Sequence, residues 1–395
     1  MNGAPVSGWR EHGTAFLLAS CIVGAISVST EILQPENVEV STVLTLPLHG
    51  HVDTYAREPF LSSLLAGALS DGSSIVLFGS SELTTKDHPA KPVNFFNERL
   101  GRPLLAIGHD GNQCFAIHSQ LISAGSELSK AKLAIMLSPS WFGGTPGRRG
   151  TELSCFLEYN PSPSLYRVHQ RLMTGDTTTL PVPDYLVRHA DDLSMASPVV
   201  KEIIARGSAW ETAKHWFVRP YDALVVEGTR NGMLDTPSLS GAPVTGTDDS
   251  AIDWQALRAA ALEEHVAECT NNRFSINDEY YSTYVNGSTR LLRPLEENDN
   301  QELRDLVVLL DHLKNMNADP LFVVQPVNPF VYADVRAFTA TMDRVKAELD
   351  SRGFTYLDLW EDDTARFQPG VLTDAAHLGA LGWYKVDSAL MAHFR

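Results

Sequence analysis

Short apolar runs of strand length recur in the first half of this 395-residue chain, where each closes on small and polar residues, and again near its end. Residues 74–78, 103–107 and 132–137 form three such runs, and residues 320–325 and 354–359 form two more. Between them lie stretches with apolar residues at helical spacing: 59–69, 115–127, 302–315, 335–352 and 379–394. Strands buried on both faces read as continuous apolar runs. Alternation of such strands with helices builds a parallel sheet covered on both sides. The pattern predicts an α/β fold, a doubly wound parallel sheet in three α/β/α layers. A further β-branched run, residues 38–48, reads as a strand stopped near Pro47.

The rhythm breaks between residues 160 and 300, which hold proline-rich stretches, a helical run at 253–269 and one strand candidate at 221–226. This predicts a discontinuous catalytic domain, residues 36–160 and 301–395, interrupted by a helical insertion or cap at 161–300. Residues 1–35 read as a tail and signal anchor. Residues 14–30 carry no charge and lie between Arg10-Glu11 and Glu31. That is slightly short of the ~20 residues a spanning helix needs, and Arg10 orients the N-terminus inward. A buried first helix and a lipoprotein signal at Leu18-Ala19-Ser20-Cys21 are the other readings of this segment. An uncleaved anchor in the cell membrane, with the remaining chain extracytoplasmic, is the expectation.

Net charge is −17, from 31 basic and 48 acidic residues. A nucleic-acid binder needs a basic face, so that class is excluded. Beyond Cys21 there are three cysteines, Cys114, Cys155 and Cys269, and no Cys-x-x-Cys, which excludes a disulfide scaffold.

In an open parallel sheet, sites form beyond the carboxyl ends of the strands. The polar clusters fall there. Gly79-Ser80-Ser81-Glu82 follows the first run, Gly108 to Gln113 the second, and Ser138-Pro139-Ser140-Trp141-Phe142 the third. Asp374-Ala375-Ala376-His377 follows the last. A serine hydroxyl becomes a nucleophile when a base takes its proton. His377 can serve as that base, and Asp374 can hold the other ring N–H and fix the tautomer. The Ser81 and Gly111 N–H groups and the Gln113 amide are candidate oxyanion donors. Each block also has a plainer reading: Gly-Ser-Ser-Glu suits a turn capping a helix, and Asp374 or Thr373 suits the cap of the last helix.

Gly79-x-Ser81 and Asp374-x-x-His377 resemble the first and last blocks of the SGNH (GDSL-type) hydrolase superfamily. Longer stretches resemble its DltD branch, the D-alanyl transfer proteins of teichoic acid modification. They are Phe78-Gly79-Ser80-Ser81-Glu82-Leu83 with His88-Pro89, Gly111-Asn112-Gln113, Ser138-Pro139-Ser140-Trp141-Phe142, Pro326-Val327-Asn328, and Asp374 to Gly379 with Gly382-Trp383. The resemblance implies an SGNH-like fold with Ser81 as nucleophile, Asp374 and His377 completing a triad, and Ser80 and Trp141 beside the substrate. It implies transfer of an activated acyl group, D-alanyl, from an acyl carrier or membrane acyltransferase partner to an envelope polymer hydroxyl. No metal or organic cofactor is implied. The chain departs from the pattern after the third run, where Ser138 to Phe142 replaces the superfamily's Gly-x-Asn-Asp block. Ser140 also stands where the branch has glutamine.

Three other readings share the sequence. The same apparatus acts as an esterase or thioesterase if water takes the acyl group. An inert SGNH-like docking protein of the envelope would keep the fold without the chemistry. His49-Gly50-His51 has the His-x-His spacing of metal-dependent barrel hydrolases, which need further ligands such as His109, His118 or His169 at later strand ends.

Overall fold

The structure is a computed structural model and describes residues 12–21, 61–72, 74–85, 87–125, 128–144, 149–189, 197–210, 213 and 252–394. The strand candidates at 38–48 and 221–226, the pair His49 and His51, and residues 22–30 of the expected anchor lie outside these. Residues 12–21 are helical, with Phe16, Leu17 and Leu18 exposed. Among the described residues no helix is long and apolar enough to cross a membrane.

Five strands form one parallel sheet: β1 (Ile75–Phe78), β2 (Leu104–Ile107), β3 (Lys132–Leu137), β4 (Leu321–Val324) and β5 (Thr355–Asp358), in the order β2-β1-β3-β4-β5. Phe78 pairs with Ile107 on one side and Ile135 on the other. Leu137 pairs with Val324, and Val324 with Asp358. The carboxyl ends therefore share one rim. The sheet is open, so a metal-dependent barrel is not what these strands build. His118 is instead a buried core residue, edge-on to His312 at 5.1 Å between ring centroids.

Alternate side chains of each strand point to opposite faces, and both faces are covered. Val76, Phe78, Ile107, Leu133, Ile135 and Phe322 pack beneath α1 (Leu61–Asp71), α2 (Cys114–Ala124), α8 (Gln301–Asn315) and α9 (Thr339–Arg352). Ile75, Leu77, Ala106, Met136 and Val323 pack against Phe95, Phe96 and α10 (Ala380–His393). Each fully buried Leu, Ile or Phe in these layers contributes about 1.5–3 kcal/mol. The sheet is thus held from both sides, and its rim is left to loops.

The described part of 161–300 divides between the two faces. α4 (Ser162–Met173), α5 (Pro181–Arg188) and α6 (Pro198–Gly207) join α3 (Leu153–Tyr159) on the outer side of α2, around Phe115, Ile122, Phe156 and Tyr185. α7 (Trp254–Glu268) lies on the opposite face, with Ala261 in the α10 layer and Trp254 5.6 Å from Phe95.

Two predicted helices differ at their ends. The helix expected over 115–127 stops at Ala124, because Gly125 turns left-handed (φ 67°) and its N–H closes on the Leu121 and Ile122 carbonyls. The one expected over 335–352 opens as a 3-10 turn, Val335–Phe338, and is α-helical only from Thr339.

Candidate active site

β1 leads to β2 on one side, and the chain then returns to β3 on the other. The crevice between the ends of β1 and β3 is the switch point where open α/β sheets place their sites. Ser81 emerges there, one turn past Phe78. The turn is tight: a Cβ on Gly108 would lie 2.2 Å from the Gly79 carbonyl oxygen, so the loops after β1 and β2 meet backbone to backbone. Asn112, fully buried, ties them by donating from Nδ2 to Gly79 O at 3.0 Å. Ser80 Oγ donates to His109 O at 3.1 Å, which ties the turn after β1 to the loop after β2. The residues after Ser80 make a single 3-10 turn, Ser81–Leu83, so the plainer reading of a cap on a full helix does not describe them.

The imidazole arrives from the opposite end of the chain. His377 Nε2 lies 3.1 Å from Ser81 Oγ, and His377 Nδ1 lies 2.8 Å from Asp374 Oδ2. The other carboxylate oxygen, Oδ1, accepts the N–H groups of Ala376 (2.9 Å) and His377 (2.8 Å). Asp374 therefore builds a side-chain-closed turn and orients the ring at once. It does not cap the last helix, which begins after Gly379. With Nδ1–H donated to Asp374, Nε2 is left as the acceptor facing the Ser81 hydroxyl.

Burial would lower the His377 pKa, but the Asp374 hydrogen bond and charge, with the Glu82 charge behind them, leave it raised above its ordinary value. Glu82 is 2% exposed. Burial raises its pKa, against the lowering by the Ser80 N–H it accepts and by His377.

A cavity of about 230 Å³ opens beside Ser81 and is lined by Ser80, Gly111, Gln113 and Trp141. All of the sequence-predicted site residues therefore meet at one rim, the triad in direct contact and the others around the cavity. Asp110, Ser140, Glu152 and Cys155 complete the lining. Gly111 is required twice over: its φ is 84°, and a Cβ would lie 2.3 Å from Cys155 Sγ. Among the described residues no group of three or more His, Cys, Asp or Glu is arranged to hold a metal ion.

A family model described as "DltD protein" matches residues 60–395. The chain belongs to the DltD family. It is similar to Protein DltD of Lacticaseibacillus rhamnosus, 25% identical over 336 residues, covering 80% of this chain and 76% of that protein. Protein DltD of Staphylococcus aureus is 24% identical, with 81% and 80% covered. Protein DltD of Bacillus subtilis is 24% identical, with 82% of each covered.

The residues that hold this DltD site together show no structural role in the sequence alone. Asn328 N–H donates to Ala375 O at 2.9 Å inside the Asp374–His377 turn, and its Nδ2 donates to Phe274 O at 2.9 Å. Asn277 donates from both N and Nδ2 to Thr373 O, each at 2.9 Å. Segment 272–285 thus braces the triad loop, through Phe274, Ile276 and Val285 packed on Val331 and Ala375. Pro326-Val327-Asn328 was flagged as a motif, which was the available signal; Asn277 carried none.

Proposed function

We propose that this DltD family member is an extracytoplasmic serine O-acyltransferase of teichoic acid D-alanylation. Ser81 attacks the carbonyl carbon of an activated D-alanyl group, and its hydroxyl proton passes to His377 Nε2. Asp374 holds the resulting imidazolium through Nδ1–H. The tetrahedral oxyanion is met by the Ser81 and Gly111 N–H groups and the Gln113 amide. On collapse the leaving group departs with the proton from Nε2, and a D-alanyl ester remains on Ser81 Oγ. A hydroxyl of the envelope polymer then attacks that ester, giving its proton to Nε2, and Ser81 Oγ recovers a proton as the product leaves. If water enters instead, the same steps give an esterase or thioesterase.

The observation that carries this reading is the unbroken line from Ser81 Oγ through His377 to Asp374, at 3.1 and 2.8 Å. The cavity beside it has room for a small acyl group. The acyl donor is an acyl carrier or a membrane acyltransferase partner, and residues 14–30 anchor the protein at the cell membrane beside it. The helices of 161–300 shape the approach of the acceptor.

The test is genetic complementation. Cells lacking their own copy receive wild-type or Ser81→Ala protein, and ester-linked D-alanine on the envelope polymer is measured. Restoration by the wild type alone is expected. Restoration by Ser81→Ala would overturn the covalent reading and leave a docking role.

A further inference from the structure

Two buried titratable residues beside the triad, Glu82 and Lys91, take no part in the acyl transfer itself. Glu82 follows the nucleophile directly, is 2% exposed, and folds its side chain back beneath the turn after β1. Its Oε1 accepts the Ser80 N–H at 2.7 Å. A Cβ on Gly79 would lie 2.6 Å from the same oxygen, so the glycine lets the carboxyl tuck under the backbone.

We propose that Glu82 is a positioning residue of the Ser81 site: its carboxylate clamps the Ser80 amide, which fixes the turn presenting Ser81, and sets a second negative charge behind the His377 imidazole. The inference rests on the acyl-enzyme reading and adds to it a residue that, after Asp374, helps tune the pH at which the base works.

The groups facing His377 are Asp374, Glu82 and Lys91. Those facing Glu82 are His377, Lys91 and the uncharged Gln325 side chain. Lys91 is itself 2% exposed, and its Nζ donates to the Leu83 carbonyl at 3.1 Å and to the Thr85 carbonyl. Burial lowers the Lys91 pKa to about 8, against the raising influence of Asp87 and Glu82. Both groups therefore face the base, and burial raises the Glu82 pKa as it lowers that of Lys91. Glu82 favours the imidazolium and Lys91 opposes it. A carboxylate at this place also stabilises the imidazolium that forms as Ser81 is acylated, which supports the rate as well as the turn.

The sign of each effect follows. Neutral His377 is the form that takes the Ser81 proton. Removing the Glu82 charge lowers the His377 pKa and enlarges the neutral fraction on the acid side; removing the Lys91 charge does the reverse.

The experiment measures the rate of Ser81 labelling by a fluorophosphonate across pH, for wild type, Glu82→Gln and Lys91→Gln. Glutamine keeps an acceptor for the Ser80 N–H and drops the charge. Relative to its own alkaline plateau, labelling of Glu82→Gln at about pH 6 is expected to rise several-fold, and that of Lys91→Gln to fall. Thermal melts check that each variant is folded. Should Glu82→Gln fail to fold, the Lys91→Gln shift decides alone. Superimposable profiles for wild type and the folded variants would overturn the inference while leaving Ser81 as nucleophile. Absence of labelling in the wild type would instead overturn the acyl-enzyme reading itself.

Discussion

Replacing Asp374 with asparagine changes one atom of the triad, and the hydrogen bonds around it fix the outcome. Oδ1 accepts two backbone N–H groups, from Ala376 and His377, while Oδ2 accepts His377 Nδ1–H. An amide has one acceptor oxygen and one donor NH₂. The backbone donors cannot reorient, so the oxygen stays with them and the NH₂ faces His377 Nδ1. That nitrogen must then accept, the ring proton moves to Nε2, and an N–H points at Ser81 Oγ. The base is lost by tautomer. Shape and both backbone bonds are kept and the amide NH₂ still donates to Nδ1, so the stability lost is only the difference between a charge-assisted and a neutral hydrogen bond, about 1 kcal/mol. The chemical cost is larger: a Ser-His-Asp site with the wrong tautomer loses about ten-thousand-fold in rate, or about 5 kcal/mol of barrier. The assay compares fluorophosphonate labelling rates of wild type and Asp374→Asn at mildly alkaline pH, with thermal melts alongside. A variant that keeps a near-native melt and labels within about tenfold of wild type would refute the argument.

The raised His377 pKa links the site to stability. Its contribution is full below the unfolded value, about pH 6.5, and is lost as pH rises through the folded value. Urea unfolding should show the gap between wild type and His377→Gln narrowing as pH increases; a constant gap would contradict it. Gly111→Ala, which places a side chain at φ 84° and against Cys155 Sγ, should cost about 1–3 kcal/mol from backbone strain alone, read by chemical denaturation. Asn328→Ala strands the buried Phe274 carbonyl and the half-buried Phe330 N–H, at about 1–3 kcal/mol for the carbonyl. It should also slow Ser81 labelling at temperatures where the protein remains folded.

The sheet was legible because most of its strands are buried on both faces and so read as unbroken apolar runs: Ile75–Phe78, Leu321–Val324 and even Leu104–Ile107 at one edge are buried throughout. The other edge strand, Thr355–Asp358, is only partly buried, yet it too lies within the run read at residues 354–359. Ser81, Asp374 and His377 were legible because chemistry restricts which residue types can serve and the strand ends restrict where they can stand. The bracing roles were not, although Asn112 and Asn328 stand within recognisable motifs. Asn112, Asn277 and Asn328 act through backbone atoms remote in sequence, and an asparagine in a loop looks alike whether it closes a local turn or ties two distant segments. Glu82 sat in plain view but read as a helix-cap acid, since only the folded chain shows it turned inward beneath Gly79. The π-helical turn Phe95–Leu100, which ends at Gly101, likewise had no sequence period to announce it.

The central claim is that Ser81 is a nucleophile activated by His377. It is tested most directly by treating the folded protein with a fluorophosphonate and locating the adduct by peptide mass spectrometry. The account predicts one adduct, on the peptide holding Ser81, absent in Ser81→Ala and strongly reduced in His377→Ala. An adduct confined to another residue, or labelling of Ser81 indifferent to the loss of His377, would contradict it.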